Sequence, residues 1–143
     1  MRHGSPSKSW IWVPALSWAF LVLVILSLPV EFLLTYIFPP SVEPTEWIFP
    51  NMDKFVHVLL FGIMAWLLFK PLKFTGHLTP MGAAGSAFAV AALYGLATEI
   101  IQHFIPYRNA DIYDVMANAV GSMAVFFRLV LFDRQSARQE VSS

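Results

Sequence analysis

Three short stretches carry nearly all the side chains of this sequence that can do chemistry. Asp53-Lys54-x-x-His57 sets an acid and an imidazole four residues apart, on one face of any helix. Glu99-x-x-Gln102 puts a carboxylate and an amide one turn apart, with His103 next in line. Arg108-x-x-Asp111-x-x-Asp114-x-x-x-Asn118 adds a guanidinium, two more acids and a second amide. The spacing of Asp111, Asp114 and Asn118 continues through Gly121 and Ser122 as one helical strip. Carboxylates beside a histidine can serve as general acid and base or hold a divalent metal. The planar arginine fork suits a carboxylate or a phosphate.

Each fragment also has a plainer account. Asp53 can cap a helix N-terminus, and Asp111 in a first turn is favoured by the helix dipole. His103 reads as an interfacial histidine rather than a metal ligand. Glu99 can serve as one half of an ion pair locking two helices. These accounts do not reach Asp114 and Asn118, which fall deeper in an apolar run. An acid near the middle of a lipid-embedded helix costs roughly 2.5–3.5 kcal/mol on insertion scales, so Glu99 demands a partner or a function.

The elements that must position these groups are membrane spans. Of 143 residues, 57% are hydrophobic and 13% charged. Soluble domains sit at roughly 45–50% and about 25%, and so few charges cannot cover a soluble surface. Four apolar runs are long enough to cross a bilayer, which takes roughly 20 residues. They occupy 10–38, 53–72, 81–105 and 111–132, and predict an all-α integral membrane bundle of four transmembrane helices. The first run follows Arg2 and Lys8 but is too long for a cleaved signal peptide and lacks a small-x-small cleavage site, so it reads as an uncleaved span. Four prolines between positions 39 and 50 predict a loop, in which Trp47-Ile48-Phe49 suits the membrane interface. In the third run Ala84, Ala87, Ala91, Gly95, Thr98 and Gln102 form a stripe of small residues, which lets helix backbones approach closely in lipid. The polar segment 133–143 reads as a disordered tail.

Positive charge in short loops marks the cytoplasmic side. Arg2, Lys8, Lys70, Lys73, Arg128, Arg134 and Arg138 fall on one side, and only Lys54 and Arg108 on the other. Both termini are therefore expected in the cytoplasm. The start of the second span, the end of the third and the start of the fourth then share the outer level, where the polar stretches converge. The formal net charge is zero with scattered Lys and Arg, which leaves no footprint for nucleic acid. The absence of cysteine excludes disulfides and thiolate metal sites.

In order and spacing, Asp53-Lys54-x-x-His57, Glu99-x-x-Gln102 and Arg108-x-x-Asp111-x-x-Asp114-x-x-x-Asn118-x-x-Gly121 resemble the VanZ-like family. Val125 stands where a second glycine often follows in such proteins, and His103 lies outside the pattern. The resemblance implies a bacterial cytoplasmic membrane protein with a four-helix VanZ-like domain over 10–132, between cytoplasmic segments 1–9 and 133–143. The family takes its name from a protein associated with resistance to teicoplanin, a lipid-bearing glycopeptide. An outward-facing polar pocket of Asp53, Lys54, His57, Glu99, Gln102, Arg108, Asp111, Asp114 and Asn118 is the expected site. Its partners would be membrane lipids and a lipid-linked envelope precursor or glycopeptide, with Arg108 and Lys54 holding anionic parts. The competing readings are a membrane-embedded acid–base or metal-assisted enzyme acting on headgroups, and an assembly subunit that docks its small-residue stripe on another protein. Cofactor and metal requirements are not readable from the sequence.

Overall fold

In hydrocarbon a backbone N–H or C=O finds no water, so an apolar chain satisfies itself by folding as a helix. The computed structural model describes residues 8–28, 52–105 and 110–142, with the side chains of Lys8 and 133–142 left aside. Every regular element among them is helical. A short 3-10 turn, Lys8–Trp12, leads into α1, Val13–Ser27; then come α2, Met52–Thr75, α3, Pro80–His103, and α4, Ile112–Ser142. Four helical stretches are long and apolar enough to cross a membrane: Ser9–Ser27, Met52–Thr75, Pro80–His103 and Ile112–Phe132. The first apolar run beyond Leu28, the proline-rich loop with Trp47-Ile48-Phe49, and Arg108 lie outside the described residues.

Local chemistry sets the helix ends. Thr79 takes an extended backbone, and its Oγ1 accepts from the Gly82 N–H at 3.1 Å, with Pro80 opening α3. His77 in the preceding turn adopts φ 49°, the left-handed region that reverses a chain in few residues. Asp111 begins α4: its Oδ1 accepts from the Tyr113 N–H at 2.9 Å, and its carbonyl accepts from the Asp114 N–H at 3.0 Å. One expectation is corrected at the other end. The stretch expected as a disordered tail is helical as far as it is described, the backbone of α4 continuing to Ser142. Arg, Gln, Ala and Glu, all good helix formers, make up six of the ten residues 133–142, and neither Gly nor Pro interrupts them.

Helices α2, α3 and α4 pack mutually, and α1 lies against α2 and α3. The interior combines an apolar cluster around Val22, Leu26, Phe61, Met64 and Leu68 with small and polar residues of α3 and α4. Ala84, Ala87, Ala91, Gly95, Thr98 and Gln102 are all buried, so the small-residue stripe is consumed within the chain rather than held for a partner. Many other large apolar side chains face outward, with Leu93 67%, Trp66 60% and Phe127 57% exposed, the arrangement of a bundle solvated by lipid.

The closest approach joins α2 to α4. A methyl group at Gly121 would overlap the Val58 carbonyl oxygen, and one at Gly62 would meet the Gly121 carbonyl at 3.3 Å. Gly62 thus supplies, from the facing helix, the small residue that Val125 withholds. Gly121→Ala should lower stability by about 1–3 kcal/mol, the usual range for overpacking. Gly85→Ala, whose added carbon would meet only Phe126 at 4.0 Å, should change it by less than about 0.5 kcal/mol. Thermal unfolding of the two variants in detergent checks the contrast.

Candidate functional site

Antiparallel packing brings the N-terminal end of α2, the C-terminal end of α3 and the N-terminal end of α4 to one level. Each contributes a chemically active turn. From α2 come Asp53, Lys54 and His57; from α3, Glu99; from α4 and its cap, Asp111, Asp114 and Asn118.

Lys54 is the hub of the outer part. Its Nζ donates to Asp53 Oδ2 at 2.9 Å, Asp111 Oδ2 at 2.9 Å and Asp114 Oδ1 at 3.2 Å. An ammonium has three protons, and all three are directed to carboxylates of the protein. Lys54, expected to hold an anionic ligand, here directs its donors to carboxylates of the protein.

His57 is the hub of the inner part and is 3% exposed. Its Nδ1 lies 2.8 Å from Asn118 Oδ1. A carbonyl oxygen can only accept, so Nδ1 carries the hydrogen and Nε2 presents its lone pair. Nε2 faces Asp114 Oδ2 at 4.0 Å, and Nδ1 lies 3.9 Å from Glu99 Oε1. The ring stacks on Phe61, with centroids 6.3 Å apart and planes 10° from parallel. Asn118 fits because residue 95 has no side chain: a Cβ there would come within 2.7 Å of Asn118 Nδ2.

Glu99, also 3% exposed, has unequal oxygens. Oε2 accepts from the Asp111 backbone N–H at 3.3 Å, while Oε1 is buried with no hydrogen-bond partner. Beside it, between α3 and α4, lies a cavity of about 300 Å³. Leu96, Ile100, Phe104, Ile112 and Val115 provide most of its wall, with Glu99, His103 and Asp111 among the remainder. The hollow at this site is thus mainly apolar, and the polar side chains form a packed cluster along one edge.

Of the sequence-derived site residues, Asp53, Lys54, His57, Glu99, Asp111, Asp114 and Asn118 meet in this cluster. Gln102 is turned elsewhere, its Nε2 donating to the Leu26 carbonyl at 2.9 Å. It thereby satisfies one of the carbonyls that the end of α1 leaves free. Trp18 donates to the Leu60 carbonyl at 3.0 Å and Tyr94 to the Ala19 carbonyl at 2.7 Å. No spacing rule pointed to these ties, because helix carbonyls are invisible in a side-chain pattern. His103 is exposed and meets the Phe104 ring edge-on at 5.5 Å, in keeping with an interfacial histidine.

Fold and cluster define a four-helix membrane protein with a buried histidine–carboxylate group near one end of its bundle. The chain belongs to the VanZ/LLP1 family, whose model matches residues 9–133. No curated protein and no solved structure matches it.

Two outcomes follow from the outer cluster. Lys54→Met should cost more than the roughly 0.2–1 kcal/mol of an exposed ion pair and less than the about 3–5 kcal/mol of a fully buried one. Chemical unfolding in mixed micelles measures it. Asp111 stands just before the span, and the Tyr113 N–H and then the Lys54 ammonium hold its carboxyl below the ordinary value of 3.8. A carboxyl depressed on folding contributes stability that is present above its unfolded value and drains away as pH falls through its folded value. The melting temperature of Asp111→Asn should therefore fall less steeply than that of the wild type as pH drops below about 4.

Proposed function

We propose that this VanZ-family protein lies in the bacterial cytoplasmic membrane with both termini inside and its cluster toward the outer leaflet. There it binds an amphiphile, either a lipid-linked envelope precursor or a lipid-bearing glycopeptide of the teicoplanin kind, in envelope physiology or antibiotic resistance. The cavity beside Glu99 carries this reading. Its volume of about 300 Å³ is at the lower end of ligand sites, roughly 300–1,000 Å³. Leu96, Ile100 and Ile112 on its wall are 44%, 54% and 67% exposed, so an apolar chain can enter sideways from the bilayer. The polar edge at Glu99 and Asp111 then meets the head of the same molecule. Arg108, three residues before Asp111 in sequence, supplies a guanidinium for a phosphate or carboxylate, a task that Lys54 is not free to take.

One observation favours a second reading, a membrane-embedded enzyme acting on headgroups. His57 stands about 4 Å from each of two carboxylates, and His57 with Glu99 or Asp114 can shuttle a proton. Binding without conversion separates the two readings.

The experiment is ligand retention. Purified protein in nanodiscs, offered bacterial lipid extract or teicoplanin, should retain an amphiphile detectable by native mass spectrometry and recovered chemically unchanged. Leu96→Trp, which fills the cavity, and Arg108→Ala should each weaken retention about tenfold, close to 1.4 kcal/mol. A wild type that retains nothing, or a Leu96→Trp variant that binds equally well, defeats the reading. Recovery of a cleaved headgroup transfers it to the enzyme.

A further inference from the structure

We propose that His57, Glu99 and Asp114 form a divalent-cation site, with one imidazole nitrogen and two carboxylate oxygens as ligands. The site goes beyond amphiphile binding and does not depend on it.

The three residues come from three helices, and each offers a ligand atom within 4.8 Å of the other two. More telling is how each side chain is divided. Every one has one polar atom held by a neighbour and one left over. His57 Nδ1 is held by Asn118 Oδ1, and Nε2 is left. Asp114 Oδ1 is held by Lys54, and Oδ2 faces His57 Nε2 at 4.0 Å. Glu99 Oε2 is held by the Asp111 N–H, and Oε1 is buried without a partner. Metal ligands are commonly held in this way, with outer neighbours fixing tautomer and orientation; here Nε2 faces Asp114 Oδ2 at 4.0 Å, while Glu99 Oε1 lies 3.9 Å from Nδ1 on the same ring.

The converging atoms all carry lone pairs, so without a positive species among them they repel. Buried polar atoms are rarely left unsatisfied, and each exception calls for an explanation. Counted at their usual ionisation, Asp53, Glu99, Asp111 and Asp114 set four negative charges against the single positive charge of Lys54. A dication would bring that −3 to −1. Ligand bonds of about 2.0–2.2 Å join donors about 4 Å apart, the separation of His57 Nε2 and Asp114 Oδ2; drawing all three donors, which lie within 4.8 Å of one another, onto one ion takes a small side-chain adjustment. An imidazole with two carboxylates suits Zn²⁺ or Mn²⁺. The chain has no cysteine, so thiolate ligands do not enter.

The test uses the full chain without a polyhistidine tag, in nanodiscs, with the metals as the probes. After loading with Zn²⁺ or Mn²⁺ and desalting, elemental mass spectrometry should find about one ion per chain. Glu99→Gln and Asp114→Asn should each lower retention at least tenfold, whereas His77→Ala and His103→Ala should keep it. Asn118→Ala, which frees the imidazole without removing a ligand, should weaken affinity about 10–100-fold. A wild-type measurement covers variants that do not fold: Zn²⁺ should raise the melting temperature and EDTA should reverse the rise, and Co²⁺ in its place should give visible absorption of nitrogen–oxygen ligation. Wild-type protein with no metal above background and no melting shift overturns the proposal. Retention undiminished in folded Glu99→Gln and Asp114→Asn overturns it equally, by placing the metal elsewhere.

Discussion

A carboxylate inside a lipid-solvated bundle has no water to turn to, and Glu99 sets the terms for everything around it. Its partners must come from other helices. The Asp111 N–H arrives from the cap of α4, and the His57 ring arrives from α2. Both are short reaches, so the backbones must be close. Val58 follows His57 directly, Gly121 lies three residues after Asn118, and these two positions meet so closely that a side-chain carbon at 121 would overlap the Val58 backbone. The 2.8 Å bond between His57 and Asn118 is thus the side-chain consequence of a missing side chain at 121. Gly95 repeats the device from α3, where the bulk it lacks is the room that Asn118 occupies.

Packing of this kind replaces the force that would hold a soluble bundle together. Lipid tails solvate leucine as well as another leucine does, so burying apolar area gains little. The core accordingly mixes alanine, glycine and a few hydrogen-bonding groups with a limited set of larger apolar side chains such as Phe61 and Met64, while many other large aromatic and aliphatic side chains face out. Helix α1, at the side of the bundle, is fastened by a different means. Trp18, Tyr94 and Gln102 each donate across to a main-chain carbonyl of a neighbouring helix. The Leu26 carbonyl is one that the end of α1 leaves free, and the Leu60 and Ala19 carbonyls, inside their helices, each have a second lone pair to offer. Such bonds add attachment without asking the partner helix to give up any of its own.

The membrane class, the spans and the convergence of polar turns were legible because each depends on spacing along one helix. The small stripe from Ala84 to Gln102 faces inward as its periodicity requires, and Asn118, Gly121 and Ser122 are buried along the strip begun by Asp111. Roles that depend on which atom meets which were not legible. Lys54 looked available to a ligand, yet its three protons are used by three carboxylates, two of them more than fifty residues away. Gln102 shares a helical face with functional residues, but its amide serves α1, whose position no pattern in α3 records. The helix beyond Phe132 was hidden for another reason: polarity marked the end of the membrane span, and the end of a span is not the end of a helix.

The cavity and the cluster share Glu99 and Asp111, and this sharing constrains what can occupy the site. An anionic head entering beside Glu99 would approach a group already at −3 by formal count. At about 4 Å and an effective dielectric near 20, each added like-charge contact opposes binding by about 4 kcal/mol. Lys54 cannot relieve that repulsion, because releasing one carboxylate to meet the ligand would expose another. Compensation must come from a cation held among His57, Glu99 and Asp114, from the Arg108 guanidinium, or from a head that is itself neutral or positive. Under the proposed binding role, an anionic head would need one of the first two, whereas a neutral or positive head would need neither. The charge of the head thus decides whether metal and amphiphile occupy the site together or independently.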